Sequence, residues 1–203
     1  MKPTDYWADD IDGYTDRNSN IPDGVLLNFF SDALDVLYFE KTDITSVCEY
    51  GCNIGRNLKA VKDIYPSAEV IGYDINRRAI RRAKKIPEVR AKVGSILKGN
   101  AEQYDLVFTK GCLIHIHPDD IGKAYQTLYD SAKKFILLCE YYNPYQVEVE
   151  YRGKNGLLWK RDFCSEMLDK YEDLTLIDYG FRYHRDANPQ DDVTWFLIQK
   201  ETK

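Results

Sequence analysis

The 203-residue chain has no apolar run long enough to span a membrane, no internal repeat and no low-complexity tract. Its opening residues, Met1 to Asp10, are polar and acidic, without the apolar stretch of a signal peptide. A basic surplus is missing too: 28 Lys and Arg stand against 33 Asp and Glu, a formal net charge of −5. Duplex nucleic acid needs a basic surface, so this balance excludes it as an obligate partner. The five cysteines (Cys48, Cys52, Cys112, Cys139, Cys164) are odd in number and lie mostly inside strand-like apolar runs. That arrangement predicts buried thiols in a protein of the cytoplasm. Histidine is scarce, with three residues. Cys112, His115 and His117, even joined by Cys48 or Cys52, follow no usual zinc spacing, and no metal is expected. What remains, 44% hydrophobic and 30% charged residues, is the composition of a folded domain with a sizeable core.

Within that composition one stretch carries a ligand signal. Ile44 to Tyr50 is a short run of strand formers, and Arg56 to Tyr65 has Leu58, Val61 and Ile64 or Tyr65 at helical spacing. Between them lies Gly51-Cys52-Asn53-Ile54-Gly55. A strand that turns through glycines into a helix brings bare backbone N–H groups and the helix N-terminus up to a ligand. Asp74 ends the next apolar run, where a carboxylate meets the two hydroxyls of a ribose. A cofactor containing a nucleoside is the expected ligand.

Spacing separates the candidate cofactors. The dinucleotide fingerprint needs glycine at its first, third and sixth positions, but here the third is Asn53 and the sixth Arg56. That disfavours a nicotinamide-dependent oxidoreductase. With Glu49 in front, the loop instead resembles the E-x-G-x-G-x-G loop of class I S-adenosylmethionine-dependent methyltransferases. Asn53 at the middle glycine is a mild departure, because Asn is the non-glycine residue most at ease in the left-handed conformation.

The patterning predicts strands near Ser46–Tyr50, Glu69–Asp74, Arg90–Gly94, Tyr104–Thr109, Lys134–Glu140, Leu174–Phe181 and Val193–Gln199. Helices are expected over Asp23–Phe39, Gly55–Tyr65, Asn76–Lys85, Pro118–Ala132 and Asp162–Tyr171. Alternation of strand and helix implies an α/β fold: a Rossmann-like, seven-stranded, mostly parallel sheet with helices on both faces. The last two strands are joined by a loop alone, so they should form an antiparallel C-terminal hairpin. The basic run Arg77 to Lys85 reads as the solvated face of a helix, with Ala79, Ile80 and Ala83 turned inward.

In such a sheet, ligands bind beyond the carboxyl ends of the strands. The cofactor candidates are therefore Glu49, Gly51, Asn53, Gly55, Asn57, Asp74, Ser95 and Lys110, with Trp7 and Arg17 from an N-terminal segment that could fold over as a lid. Three further segments should reach the same rim: Thr109 to Pro118, Glu140 to Pro144 and Arg182 to Asp186. They supply the catalytic candidates His115, His184 and Tyr142; an imidazole titrates near neutrality and can take a proton from an acceptor hydroxyl or amine. The alternative for His117 is a cap on the next helix. Arg152, Lys160, Arg161 and Arg185, together with Arg182, form a cationic set suited to a carboxylate or phosphate. Tyr141 and Asn143 complete the candidate acceptor site, and the competing reading of the cations is surface pairing with nearby aspartates.

Beyond the cofactor loop, the chain resembles the pseudaminic acid biosynthesis-associated methylases. The resemblance rests on Tyr6-Trp7-Ala8 with Tyr14 and Asp16-Arg17-Asn18, on Glu49 to Gly55, and on Thr109-Lys110-Gly111 through Ile116. It continues through Glu140-Tyr141-Tyr142-Asn143-Pro144, Tyr151-Arg152-Gly153, Lys160-Arg161-Asp162-Phe163, Tyr179-Gly180-Phe181, Tyr183 to Asp186 and Pro189 to Asp192. Residues 1–40 read as lid segment and first helix, and residues 41–203 as one S-adenosylmethionine-binding methyltransferase domain; the resemblance implies a methyltransferase. It further implies a small acidic sugar or sugar nucleotide as acceptor, and S-adenosylhomocysteine as product. A catalytically silent cofactor-binding partner protein would carry the same loop. Oligomeric state is not encoded in any of these features.

Overall fold

The computed structural model describes residues 3–9, 13, 16 and 22–201. The chain starts with a short helix α1 (Pro3–Ala8), then α2 (Asp23–Ala33) and α3 (Asp35–Phe39). The alternating part follows: β1 (Ser46–Tyr50), α4 (Arg56–Ile64), β2 (Glu69–Asp74), α5 (Arg77–Ala83), β3 (Val89–Val93) and β4 (Tyr104–Lys110). Two 3-10 turns, Leu113–His115 and Pro118–Asp120, lead into α6 (Ile121–Ser131) and β5 (Ala132–Glu140). A small hairpin of β6 (Val147–Glu148) and β7 (Trp159–Lys160) precedes α7 (Phe163–Lys170), β8 (Leu174–Arg182) and β9 (Val193–Lys200).

The main sheet has seven strands in the order β3-β2-β1-β4-β5-β9-β8. Pairings from β3 across to β5 are parallel, and β9 runs antiparallel to both β5 and β8. The expected seven-stranded sheet and terminal hairpin are present. β9 inserts between β5 and β8, so the hairpin forms the outer edge. One face is covered by α2, α4 and α5 through Phe29, Phe30, Leu58, Val61, Ile80 and Ala83. The other is covered by α6 and α7 through Ile121, Tyr125, Leu128, Phe163 and Met167. With helices on both sides, β4 is buried at every residue except Lys110, which explains the continuous apolar run Leu106-Val107-Phe108 at its centre.

Three local expectations are corrected. The predicted helix Asp23–Phe39 breaks at Leu34, whose φ of −117° ends α2. The bend lets Leu34 and Leu37 both bury while Tyr38 and Phe39 end exposed. The helix expected from Pro118 begins as a 3-10 turn, and Ala132 already belongs to β5. Between Asn143 and Lys160 no strand was expected, yet β6 and β7 pair there. The basic run does face outward: Arg78 and Arg82 of α5 both pair with Asp16, at 2.9 and 2.6 Å. At the opposite end of the sheet, Asp105 accepts from Thr45 N, Thr45 Oγ1 and Ser46 N, tying the foot of β4 to the start of β1.

Candidate functional site

The turn from β1 into α4 uses the left-handed region three times in five residues: Gly51 at φ 80°, Asn53 at 46° and Gly55 at 81°. Asn53 thus does what a middle glycine would do, Asn being the non-glycine residue that most readily adopts this conformation. Gly51 is constrained sterically as well, since a Cβ there would lie 2.6 Å from Cys112 Sγ. The result is a floor of bare backbone at the carboxyl end of the sheet. An open cleft of about 770 Å³, solvent included, lies above it, lined by Gly51, Asn53, Asp74, Ser95, Cys112 and His115, with Trp7 at its edge.

Asp74 stands at the tip of β2 and lines this cleft. Its Oδ2 accepts from Asn53 N at 2.8 Å and its Oδ1 from Asn76 N at 2.7 Å. Each carboxylate oxygen has a second lone pair, so these bonds hold the carboxylate in place without exhausting it. Asn76 in turn caps α5 by accepting from Arg78 N and Ala79 N, and its Nδ2 donates to Trp7 O at 3.3 Å. Beneath the loop, Glu49 is fully buried. Asn57 Nδ2 donates to its Oε1 at 2.7 Å, while its Oε2 has no hydrogen-bond partner. Burial pushes the Glu49 carboxyl up to about 8, against the Asn57 bond and the pull of Lys110. Asn57 therefore acts through Glu49. Lys110 is half-buried, with its ammonium 5.3 Å from the Phe29 ring, and burial lowers its pKa.

The far wall is built by the loop after β4. His115 lines the cleft, and its Nδ1 lies 2.7 Å from the Leu157 carbonyl. A carbonyl only accepts, so Nδ1 carries the proton and Nε2 is the basic nitrogen. The imidazole packs against Trp7 of α1, with ring centroids 4.1 Å apart, and against Tyr151 at 5.4 Å. Trp7 and Tyr151 meet at 5.5 Å, and Lys154 Nζ sits 4.7 Å from the Tyr6 ring centroid. α1 and the turn around Tyr151 therefore clasp one another across the His115 side of the cleft. His117 caps the following 3-10 turn by accepting from Asp119 N at 3.3 Å.

The remaining candidates divide plainly. His184 is exposed in the β8–β9 loop, where Nδ1 lies 2.9 Å from Asp192, outside the cleft lining. Tyr142 is 42% exposed and packs on Phe196 at 6.0 Å, also outside it. Arg161 donates to Glu166 at 2.7 Å, and buried Arg182 is shared among Asn28, Asp32 and Asp186. Those two arginines pin structure together, as the surface-pairing alternative holds: Arg182 with Asp186 and also Asp32, and Arg161 with Glu166 in place of an aspartate. Lys160 lies over the Tyr141 ring at 5.4 Å, Arg152 over Tyr151 at 5.8 Å, and Asn143 donates to Tyr145 O. Arg185 is exposed. Arg17 and Tyr14 lie outside the described residues. Among the described residues no group of three or more His, Cys, Asp and Glu side chains is placed to hold a metal, and no helix is long and apolar enough to cross a membrane. The sequence alone assigns no role to Asn76 or Glu140. Asn76 had a legible signal, an Asn immediately before an apolar-periodic run.

Residues 47–134 match a protein-family model described as a methyltransferase domain. No curated protein matches the sequence. Among solved structures, the Burkholderia thailandensis 1,6-didemethyltoxoflavin-N1-methyltransferase, with 1,6-didemethyltoxoflavin and S-adenosylhomocysteine bound, is similar over 99% of this chain and 87% of its own. The TM-score is 0.70 at 16% identity. The plantazolicin methyltransferase in complex with S-adenosylhomocysteine covers 98% of this chain and 94% of its own, at TM-score 0.70 and 14% identity. Magnesium protoporphyrin IX methyltransferase from Synechocystis PCC 6803, with S-adenosylmethionine bound, covers 86% and 79%, at 0.64 and 13%. At such identities the likeness is one of fold, and the three are named for unlike acceptors. Residues 47–134 thus match a methyltransferase-domain model, and the chain has the fold of the S-adenosylmethionine-dependent methyltransferases.

Proposed function

We propose that this protein transfers the methyl group of S-adenosylmethionine to an oxygen or nitrogen of a small anionic acceptor, leaving S-adenosylhomocysteine. The observation that carries the reading is the triple left-handed turn at Gly51, Asn53 and Gly55 with Asp74 held beside it. When bound, the cofactor supplies a methyl group on a sulfonium that is already an excellent leaving group, so the protein must provide alignment and a base. Asp74 would take the ribose hydroxyls and the glycine loop would pass under the methionine portion. Trp7, backed by Tyr151, would exclude water from the His115 side. His115 Nε2 would accept the acceptor's proton as the methyl moves.

For the acceptor we favour an acidic sugar or sugar nucleotide, in keeping with the family resemblance of the sequence. Arg152 and Lys154, whose cations lie over the Tyr151 and Tyr6 rings at the clasp, support an anionic group there. The reading places the protein in the cytoplasm, where such a reaction draws on soluble substrates. The test is mass spectrometry of reactions holding the protein, S-adenosylmethionine and a panel of acidic sugars, their nucleotide-activated forms and amino-sugar precursors. A product heavier by one methylene identifies the acceptor. Binding of S-adenosylhomocysteine with no methylated product on any panel member would instead favour a silent cofactor-binding protein. On the identified acceptor, His115→Ala should lower turnover about 10²- to 10⁴-fold with cofactor affinity retained; equal losses of both would leave His115 a structural residue.

A further inference from the structure

The loop that presents His115 is held from beneath by a carboxylate that the proposed chemistry does not use. Glu140, the last residue of β5, is buried at 3% exposure. Its Oε1 accepts from Cys112 N and Leu113 N, both at 3.1 Å, and its Oε2 accepts from Ile114 N at 3.3 Å. These are consecutive N–H groups at the start of the 3-10 turn Leu113–His115, donors that a helical turn cannot satisfy from within. A carboxylate there meets the positive end of the turn, so charge and hydrogen bonding act together. His115 follows directly, and its own N–H is bonded to Cys112 O at 3.1 Å.

We propose that Glu140 is a positioning residue: by anchoring residues 112–114 it fixes the backbone from which His115 departs, so that the imidazole meets the Leu157 carbonyl and the cleft wall together. Glu140 is not itself among the residues that line the cleft and, on this account, does not touch the substrate. The inference rests on His115 as proton acceptor for its catalytic consequence, while the anchoring itself does not. The ionisable groups around Glu140 are Lys110 from β4, Cys112 in the loop, Cys139 beside it on β5 and Tyr125 from α6. Burial pushes its carboxyl up to about 6 against the three amide bonds. Protonation removes charge from the anchor, so the loop should loosen as pH falls through that value.

Glu140→Gln is the mild variant: its carbonyl oxygen can serve two of the donors, but its amide sets N–H against N–H at the third. Glu140→Leu removes the anchor altogether. With three histidines in the chain, the His115 imidazole resonances can be assigned by NMR through His115→Asn. In Glu140→Gln, with S-adenosylhomocysteine bound, the His115 ring signals and the Cys112, Leu113 and Ile114 amide signals should shift and broaden while those of His184 stay put. In the wild type these amides should move with a midpoint near pH 6, a transition retained in His115→Asn and lost in Glu140→Gln. Turnover on the identified acceptor should fall about 10- to 100-fold in Glu140→Gln, the scale of a misplaced catalytic group, through kcat more than KM. Unchanged His115 and loop signals in both Glu140 variants would overturn the proposal. Shifted signals with full turnover would leave the anchor standing and remove His115 from its role as base.

Discussion

At the tips of β1 and β2 the cleft is made of backbone; at the tips of β4 and β5 it is made of side chains that arrive from elsewhere. The first region needs three left-handed residues and one carboxylate, all within a strand–loop–helix–strand unit. In the second, His115 is met by Trp7 from α1 and by Tyr151 and the Leu157 carbonyl from the β6–β7 segment, while Glu140 of β5 holds the amides of the three residues before it. On the proposed reading the backbone site would take the cofactor, common to every turnover, and its geometry is set by residue conformation. A side-chain site can be rebuilt by substitution, which suits the part that must recognise one acceptor among many. The structurally similar methyltransferases, alike in fold and named for different substrates, fit that division.

The largest break in this contrast should come from Gly51→Ala. An L side chain at φ 80° is strained by about 1–2 kcal/mol. The new Cβ would also lie 2.6 Å from Cys112 Sγ and 2.8 Å from Cys112 Cβ, so the floor or the opposite wall must shift. We expect S-adenosylhomocysteine affinity to fall by on the order of 100-fold, measured by calorimetry, with the circular dichroism spectrum retained. Adding Cys112→Gly should restore part of the loss, because it removes the overlap but not the strain. Full affinity in Gly51→Ala would mean that the backbone floor is not where the cofactor lies.

Asp74→Ala comes next, at about 1–3 kcal/mol of cofactor affinity, the scale for losing a charged hydrogen-bond partner. Two causes overlap here, since the carboxylate also holds Asn53 N and Asn76 N. A 2′-deoxy analogue of S-adenosylhomocysteine separates them. If Asp74 takes the ribose hydroxyls, the analogue should bind the wild type more weakly than the parent, while Asp74→Ala should not tell them apart. Discrimination that persists in the mutant would reduce Asp74 to a loop support.

The same contrast explains what was legible in the sequence. Strand runs, the glycine loop and the left-handed Asn53 follow from neighbours within a few residues, and the mostly parallel sheet follows from alternation of strand and helix. The His117 cap and the outward face of α5 are local in the same way. The break at Leu34 is not local, because it serves burial against the sheet. His184 belongs to a segment that topology directs to the rim, but a bond to Asp192 across the hairpin keeps it in the β8–β9 loop. Glu140 reads as the end of a strand, and nothing near it in sequence announces three amide partners on another loop. For Arg161 and Arg182 the sequence left ligand cation and surface pairing both open; Glu166 and Asp186 lie within five residues, whereas Asp32 on α2 is brought to Arg182 by the fold.

Trp7 belongs to both regions, and so offers the smallest but sharpest test. Its carbonyl accepts from Asn76, which caps the helix behind Asp74, while its ring packs on His115 and Tyr151. Aromatic contacts of this kind contribute about 0.5–1.5 kcal/mol beyond area burial, so Trp7→Ala should change rates only several-fold. If α1 closes over both regions, the mutant should release cofactor faster in stopped flow and raise the acceptor KM by similar factors, and Trp7→Phe should recover much of each. If α1 serves only the side-chain wall, acceptor KM alone should rise and cofactor release should stay as in the wild type. Either result assigns the clasp: a shared lid makes cofactor and acceptor binding cooperative through one helix, whereas a one-sided contact leaves the backbone floor independent of everything that reaches His115.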